Sequence, residues 1–294
     1  NDTAGFTIAQ SGGSTSVSED GTTDTFTVVL NAQPASDVVL TITSSDTGEA
    51  TVNSPLTFTA GNWNSAQTVT VTGVNDNLVD GTINSTITVA VKDDSSDNNV
   101  DPVADQTVSV STVDNDTAGF TITETGGSTA VAETGTTDTF AVVLTAQPSS
   151  NVVLSITSGD TGEAVVNGST ASNNILTFTS GNWNTPQSFT VTGVDDNLVD
   201  GTITSTLTVA VVDALSDDSF DAVADQTVSA NTTDNDTAGF TVVQSSGSTS
   251  VSEAGTTDTF TVVLSAQPTS DVVITITSSD TGEATVNSPL TFTP

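Results

Sequence analysis

The chain has 294 residues, with 36 acidic side chains against a single base, Lys92, and a formal net charge of −35; it has no histidine and no cysteine. That balance argues against nucleic acid and anionic membrane as partners. It also removes disulfides as fasteners and the usual nitrogen and sulfur ligands of zinc and copper.

Apolar residues still make up 34% of the chain, so the acidity does not mark disorder. Glutamate is scarce and aspartate common, which favours turns over helices. No signal peptide and no apolar run of membrane length is present. The sequence does not begin with Met, which reads as a processed product or an excerpt.

The stretch Asp114-Asn115-Asp116-Thr117-Ala118-Gly119-Phe120 returns as Asp234-Asn235-Asp236-Thr237-Ala238-Gly239-Phe240, and the chain opens within it at Asn1-Asp2-Thr3-Ala4-Gly5-Phe6. The marker phenylalanines are 114 and 120 residues apart, and the extra residues of the second repeat fall within 167–175. A period this long means tandem whole domains, since solenoid repeats run about 20–50 residues. Three units follow: 1–116, 117–236 and 237–294, the last being the N-terminal half of a third. No Gly/Ser or Pro linker separates them, so the acidic triplet is a joint.

Within each unit, Thr and Val alternate over short runs bounded by turn residues, and helical periodicity is absent. The first unit predicts a strand over 5–8 that resumes near Val17, then strands over 24–30, 37–43, 56–59, 67–72, 84–91 and 106–113. The fold class is all-β: tandem Greek-key, immunoglobulin-like sandwiches joined end to end. Trp63 and Trp183 read as plugs at the ends of the cores.

Consecutive antiparallel strands reverse, so their loops alternate between two poles. One pole then collects Glu19-Asp20, Asp46-Thr47-Gly48-Glu49, the loop 75–80 with Asp76 and Asp80, and the exit triplet with Asp114 and Asp116. The second unit repeats this with Glu133, Asp160, Glu163, Asp195, Asp196, Asp200, Asp234 and Asp236. The third retains Glu253 and Asp280. Two bare charges about 4 Å apart cost on the order of 4 kcal/mol at an effective dielectric near 20. One lysine cannot offset this at two poles. A hard divalent cation can: Ca²⁺ accepts six to eight oxygen ligands, whereas Mg²⁺ rarely sits in an all-protein cage. The bland alternative is a solvated acidic surface that keeps the protein soluble. The far loop 93–101 also has oxygen residues at alternate positions, but it lacks the Gly and closing Glu of an EF-hand.

Val17-Ser18-Glu19, the strand ending in Leu30, Asp46-Thr47-Gly48, Leu56-Thr57-Phe58-Thr59, Val74-Asn75-Asp76-Asn77 and Asp114-Asn115-Asp116 together resemble a Calx-β domain, as found in tandem in large bacterial surface adhesins. The resemblance spans both full units and the half unit. It implies calcium at the pole where the last strand exits. The ligand roles it implies fall to Glu19, Asp46, Asp76, Asp114 and Asp116, and to Glu133, Asp160, Asp196, Asp234 and Asp236. Asp80 stands where that family usually carries Glu.

Catalysis is a weak reading: with no His, Cys or Tyr, triads and most general bases are missing. The expected role is structural: an extracellular or cell-surface, calcium-rigidified stalk or fibre that partners with itself head to tail. The alternatives are a filament subunit polymerised by strand complementation of the half domain, and an adhesin region with an unknown surface or matrix ligand. The half unit would expose apolar strand faces, to be covered by chain continuation or by another chain.

Overall fold

The structure, a computed structural model, describes residues 3–168 and 174–294. Asn1 and Asp2 of the opening triplet and positions 169–173, in the inserted stretch, lie outside the described residues.

In the first unit the strands are β1 (Phe6–Gln10), β2 (Thr15–Ser18), β3 (Thr23–Leu30), β4 (Val38–Ser44), β5 (Ala50–Val52), β6 (Leu56–Phe58), β7 (Gln67–Gly73), β8 (Ile83–Val91) and β9 (Gln106–Val113). They form two sheets, ordered β1-β3-β7-β5 and β2-β9-β8-β4-β6. Strict alternation sends Phe26, Val28 and Leu30 of β3, Val69 and Val71 of β7, Leu40 and Ile42 of β4, and Ile87 and Val89 of β8 into one core. Trp63 packs against that core, and its carbonyl accepts the Leu30 N–H at 3.2 Å.

The second unit repeats the plan with β10 (Phe120–Glu124), β11 (Thr129–Ala132), β12 (Thr137–Leu144), β13 (Val152–Ser158), β14 (Ala164–Gly168), β15 (Ile175–Phe178), β16 (Gln187–Gly193), β17 (Ile203–Val211) and β18 (Gln226–Thr233). Its sheets are ordered β10-β12-β16-β14 and β11-β18-β17-β13-β15. The architecture is the predicted all-β sandwich.

Two features depart from the sequence expectation. The first strand is two strands in different sheets: a 3-10 turn at Ser11–Gly13 carries the chain across the edge, and β2 then pairs with β9 in parallel. The short β5 also intervenes, because Ala50-Thr51-Val52 is a single period of alternation and too brief to register as a strand. Neither changes the poles. β1 with β2, and β5 with β6, each make one traverse of the sandwich, so the acidic loops still gather at one end.

Residues 237–294 form β19 (Phe240–Gln244) paired with β20 (Phe260–Leu264), and β21 (Val272–Ile274) paired with β22 (Leu290–Phe292). Phe240 pairs with Leu264 as Phe6 pairs with Leu30. Yet Phe240 is 55% exposed and Phe6 only 3%, because nothing here stands where β7 to β9 close the first core. Among the described residues no helix is long and apolar enough to cross a membrane.

Candidate metal centre

The acidic pole is built by close backbone approaches. β7 ends at Gly73 against β2: a Cβ there would lie 2.1 Å from the Ser18 carbonyl oxygen, so only glycine permits the contact. This presses Glu19 against the loop 74–80. The Glu19 N–H donates to Val113 O (3.1 Å) and the Val74 N–H to Glu49 O (2.9 Å), which ties the three loops and the exit of β9 together. Gly193 repeats the approach at 2.1 Å from Ala132 O.

Side chains complete the frame. Asp114 Oδ2 accepts the N–H groups of Asp80 (3.0 Å) and Gly81 (2.9 Å), and its Oδ1 accepts that of Asp116 (2.6 Å). Gly81 makes this turn with φ +75°, which favours glycine. Asp76 Oδ1 accepts the Leu78 N–H at 2.7 Å. The second unit matches: Asp234 receives Asp200, Gly201 and Asp236, and Asp196 receives Leu198.

Carboxylates therefore converge without counterions. Glu19 is 1% exposed and Glu49 6%. Oxygens of Glu19, Glu49 and Asp80 lie within 4.8 Å of one another, as do those of Glu19, Asp76 and Asp116. In the second unit the groupings are Glu133, Glu163 and Asp196, and Glu133, Asp200 and Asp234. At the two poles the buried carboxylate oxygens with no hydrogen-bond partner are Glu49 Oε2, Asp80 Oδ1, Asp116 Oδ2, Glu133 Oε1, Glu163 Oε2 and Asp200 Oδ1; Ser85 Oγ, Ser205 Oγ and Asp101 Oδ1 are also buried without one. Lys92 stands beside Asp94 at 3.9 Å, on the far loop.

The electrostatics follow. Burial, with Asp114, Asp76 and Glu49 adding repulsion, pushes Glu19 up to about 7 despite the Asn115 N–H. Burial and then neighbouring carboxylates also raise Glu49, Asp80, Asp116, Glu163, Asp200 and Asp236. The Asn235 N–H pulls Glu133 down, but burial and Asp234, Asp196 and Asp200 outweigh it. Asp234 is held low by the N–H groups of Gly201 and Asp236. Orphaned, buried, oxygen-only donors around a shared point fit a hard cation, and they do not fit a solvated surface.

The structure brings Glu19, Asp76, Asp80, Asp114 and Asp116 together, and likewise Glu133, Asp196, Asp200, Asp234 and Asp236. Asp46 and Asp160 stand differently. Both are exposed, and one oxygen of each accepts the N–H two residues on, Gly48 or Gly162, at 3.0 Å. Asp280 makes the same turn with Gly282, and it and Glu253 are exposed, without the loops that converge elsewhere. Glu49 and Glu163 are the main additions to the sequence-based ligand set. Each is buried, and each immediately precedes a fully buried alanine, Ala50 or Ala164.

Among the described residues no metal-competent grouping falls in the far loop 93–101. Asp97 accepts N–H groups from Ala35 (2.6 Å), Ser36 and Asn99, and the Asn99 side chain. In the second unit Asp217 is satisfied by Ser149, Ser150 and Ser219, so these aspartates staple loops.

The joint itself is a short strap. Asn77 O accepts the Gln147 N–H at 2.6 Å, and the Val79 N–H donates to Gln147 O at 3.0 Å, a parallel bridge centred on Leu78 and Gln147. Val79 packs against the core of the second sandwich, and Ser219 Oγ donates to Val79 O at 3.4 Å. Asn197, Leu198 and Gln267 repeat the bridge to the third unit. The far loop of the second unit thus meets the pole of the first through Ser219. The metal-competent groupings of acidic side chains among the described residues draw on one unit each.

Fold and site together define a tandem β-sandwich protein with a carboxylate-lined pole on each complete unit. No protein-family model matches the sequence, and no curated protein sequence does. Among solved structures, the chain is similar to domains 4 and 5 of the S-layer protein SbsC (18% identity, TM-score 0.31, covering 66% of this chain and 76% of that one). It is also similar to the calcium binding domain CBD12 of CALX1.1 (10%, 0.26, 69% and 80%) and to the apo-form Calx CBD1 domain (11%, 0.26, 38% and 98%). These likenesses are of β-sandwich architecture alone.

Proposed function

We propose that the chain is a calcium-binding structural segment of an extracellular or cell-surface array of β-sandwiches, with one or more Ca²⁺ ions at the pole of each complete unit. The observation that carries this is the set of buried, unpartnered carboxylate oxygens, which occurs twice in one chain with the same frame. Glu19, Glu49, Asp76, Asp80 and Asp116 would hold the ion in the first unit, and Glu133, Glu163, Asp196, Asp200 and Asp234 in the second. Asp114 and Asp234 would orient the loops through the N–H groups they accept. The bound ion would supply positive charge that the sequence lacks. Because Asp76 and Asp80 flank the strap 77–79, the ion would also hold the surface that docks the next unit. The role is mechanical and non-catalytic, and the partner is another unit of the same kind.

Calorimetric titration of metal-stripped protein tests this. Calcium should bind with dissociation constants of roughly 10⁻⁴–10⁻³ M, typical of extracellular modules. Glu49→Gln with Asp80→Asn should remove the first pole's share of the heat and leave the second pole's. Heat that is unaffected by these changes would defeat the reading.

A filament built by strand complementation has one observation in its favour: Phe240 and Val242 are more than half exposed. Light scattering decides it, since such a filament would grow with concentration in the absence of calcium.

A further inference from the structure

The end of the first sandwich opposite its acidic pole carries the same socket that receives the strap in the second and third units, and among the described residues nothing fills it in the first unit. Gln33 occupies the position of Gln147 and Gln267. The backbone N–H and C=O of Gln147 are both taken by the strap, whereas those of Gln33 have no backbone partner among the described residues. The Gln33 side chain is turned aside, donating to Ala60 O at 2.8 Å. Ala146 is 1% exposed in the filled socket, and its counterpart Ala32 is half-buried. Ala118 packs against the second core, and its counterpart Ala4 is exposed. A cavity of about 130 Å³ remains beside Leu30, Ala32, Pro34 and Val100.

The filled copies define what fits. The occupant offers a carbonyl, skips one residue and offers an N–H, so it runs parallel to residues 32–34 for one bridge. It must bring an apolar side chain at the third position, where Val79 packs against the second core. It also carries aspartates on both sides; Asp97 at the socket is already engaged by the N–H groups of Ala35, Ser36 and Asn99. Both straps in this chain, 77–79 and 197–199, are already engaged.

We infer that the Gln33 face is a docking site for an Asn-Leu-Val strap, framed by aspartates, carried by another acidic pole of this repeat type. The inference concerns the joint and stands apart from the metal reading. The contact is formed by backbone bonds and the Val79 side chain, so it needs no calcium once the strap is presented.

A tether tests it. The sequence of residues 74–83 is joined through a flexible Gly/Ser linker to the N-terminus of the full chain, beside Ala4. The linker keeps the strap at about millimolar effective concentration. Amide exchange at Gln33 is then read by NMR, with Gln147 in the same molecule as the filled reference. Gln33 exchange should slow about tenfold or more, and Leu78→Asp with Val79→Asp in the tethered copy should return it to the untethered rate. Gln33 exchange that the tether does not change, while Gln147 stays protected, overturns the proposal. So does protection that survives the double substitution. Protection of Gln33 in the untethered chain that rises with protein concentration would assign the face to a second intact copy and would also overturn it.

Discussion

Gly73→Ala should unhinge the first pole while leaving the second intact. The added Cβ would sit 2.1 Å from Ser18 O and 2.7 Å from Ser18 C, both backbone atoms, so β7 and β2 must separate by more than an ångström. Overpacking of this kind costs about 1–3 kcal/mol. Two hydrogen bonds lie along the same seam, Gly73 N–H to Thr22 O at 3.0 Å and Glu19 N–H to Val113 O at 3.1 Å. Losing both adds about 1 kcal/mol each. The opposing gain from a stiffer unfolded chain is only about 0.4–1 kcal/mol. The net loss of about 2–4 kcal/mol corresponds to a drop of about 10 °C or more for a sandwich of this size. Differential scanning calorimetry reads it with an internal reference. The transition of the first unit should fall and that of the second should not, and Gly193→Ala should invert the pattern. Gly61→Ala, whose Cβ would stand 3.7 Å from a side-chain oxygen, is the neutral control. If Gly73→Ala melts with the control, close passage of β7 under Glu19 is not what builds the pole.

Chelation should lower both transitions. One site at tenfold saturation contributes about 1.4 kcal/mol, and sodium chloride should restore only part of it because screening is not coordination. The metal-free protein should be more stable near pH 5 than near pH 8. Glu19 is raised from 4.5 to about 7, so its contribution is fully present below 4.5 and is lost as pH rises through about 7. Asp97 has the opposite sign: backbone N–H groups of Asn99 and Ser36 hold it low, so its contribution is present above 3.8 and lost as pH falls further. Thermal melts against pH in chelator should therefore rise and then fall on acidification, and a monotonic rise with pH would contradict the burial of Glu19. Leu78→Asp with Val79→Asp should free the joint and increase the maximum dimension spread in small-angle scattering even with calcium present; an unchanged profile would show that the strap is not the hinge.

The sequence made the sandwich legible because its signal is local. Phe26-Val28-Leu30 and Leu40-Ile42 alternate with polar residues, and each such run became a strand with that face buried. The gathering of acidic loops at one pole was also legible, because it needs only the parity of strand reversals. That parity survived the unforeseen β5 and the split of the first strand. Local turn chemistry was readable too. Asp46-Thr47-Gly48 folds into the same turn as Asp280-Thr281-Gly282, which has no pole around it, so the turn forms independently of the pole. The burial of Glu49 was hidden because it depends on β5 crossing to the other sheet. The strap was hidden for a different reason: Val79 lies in an acidic loop, and its apolar partner belongs to the next unit.

The most direct test is long-wavelength diffraction from crystals of the full chain grown in calcium. The account predicts anomalous peaks at both complete poles, about 2.3–2.6 Å from carboxylate oxygens that include Glu19 and Glu49 in the first unit and Glu133 and Glu163 in the second. Peaks confined to the far loops around Asp97 and Asp217, or poles without a peak in saturating calcium, would contradict it.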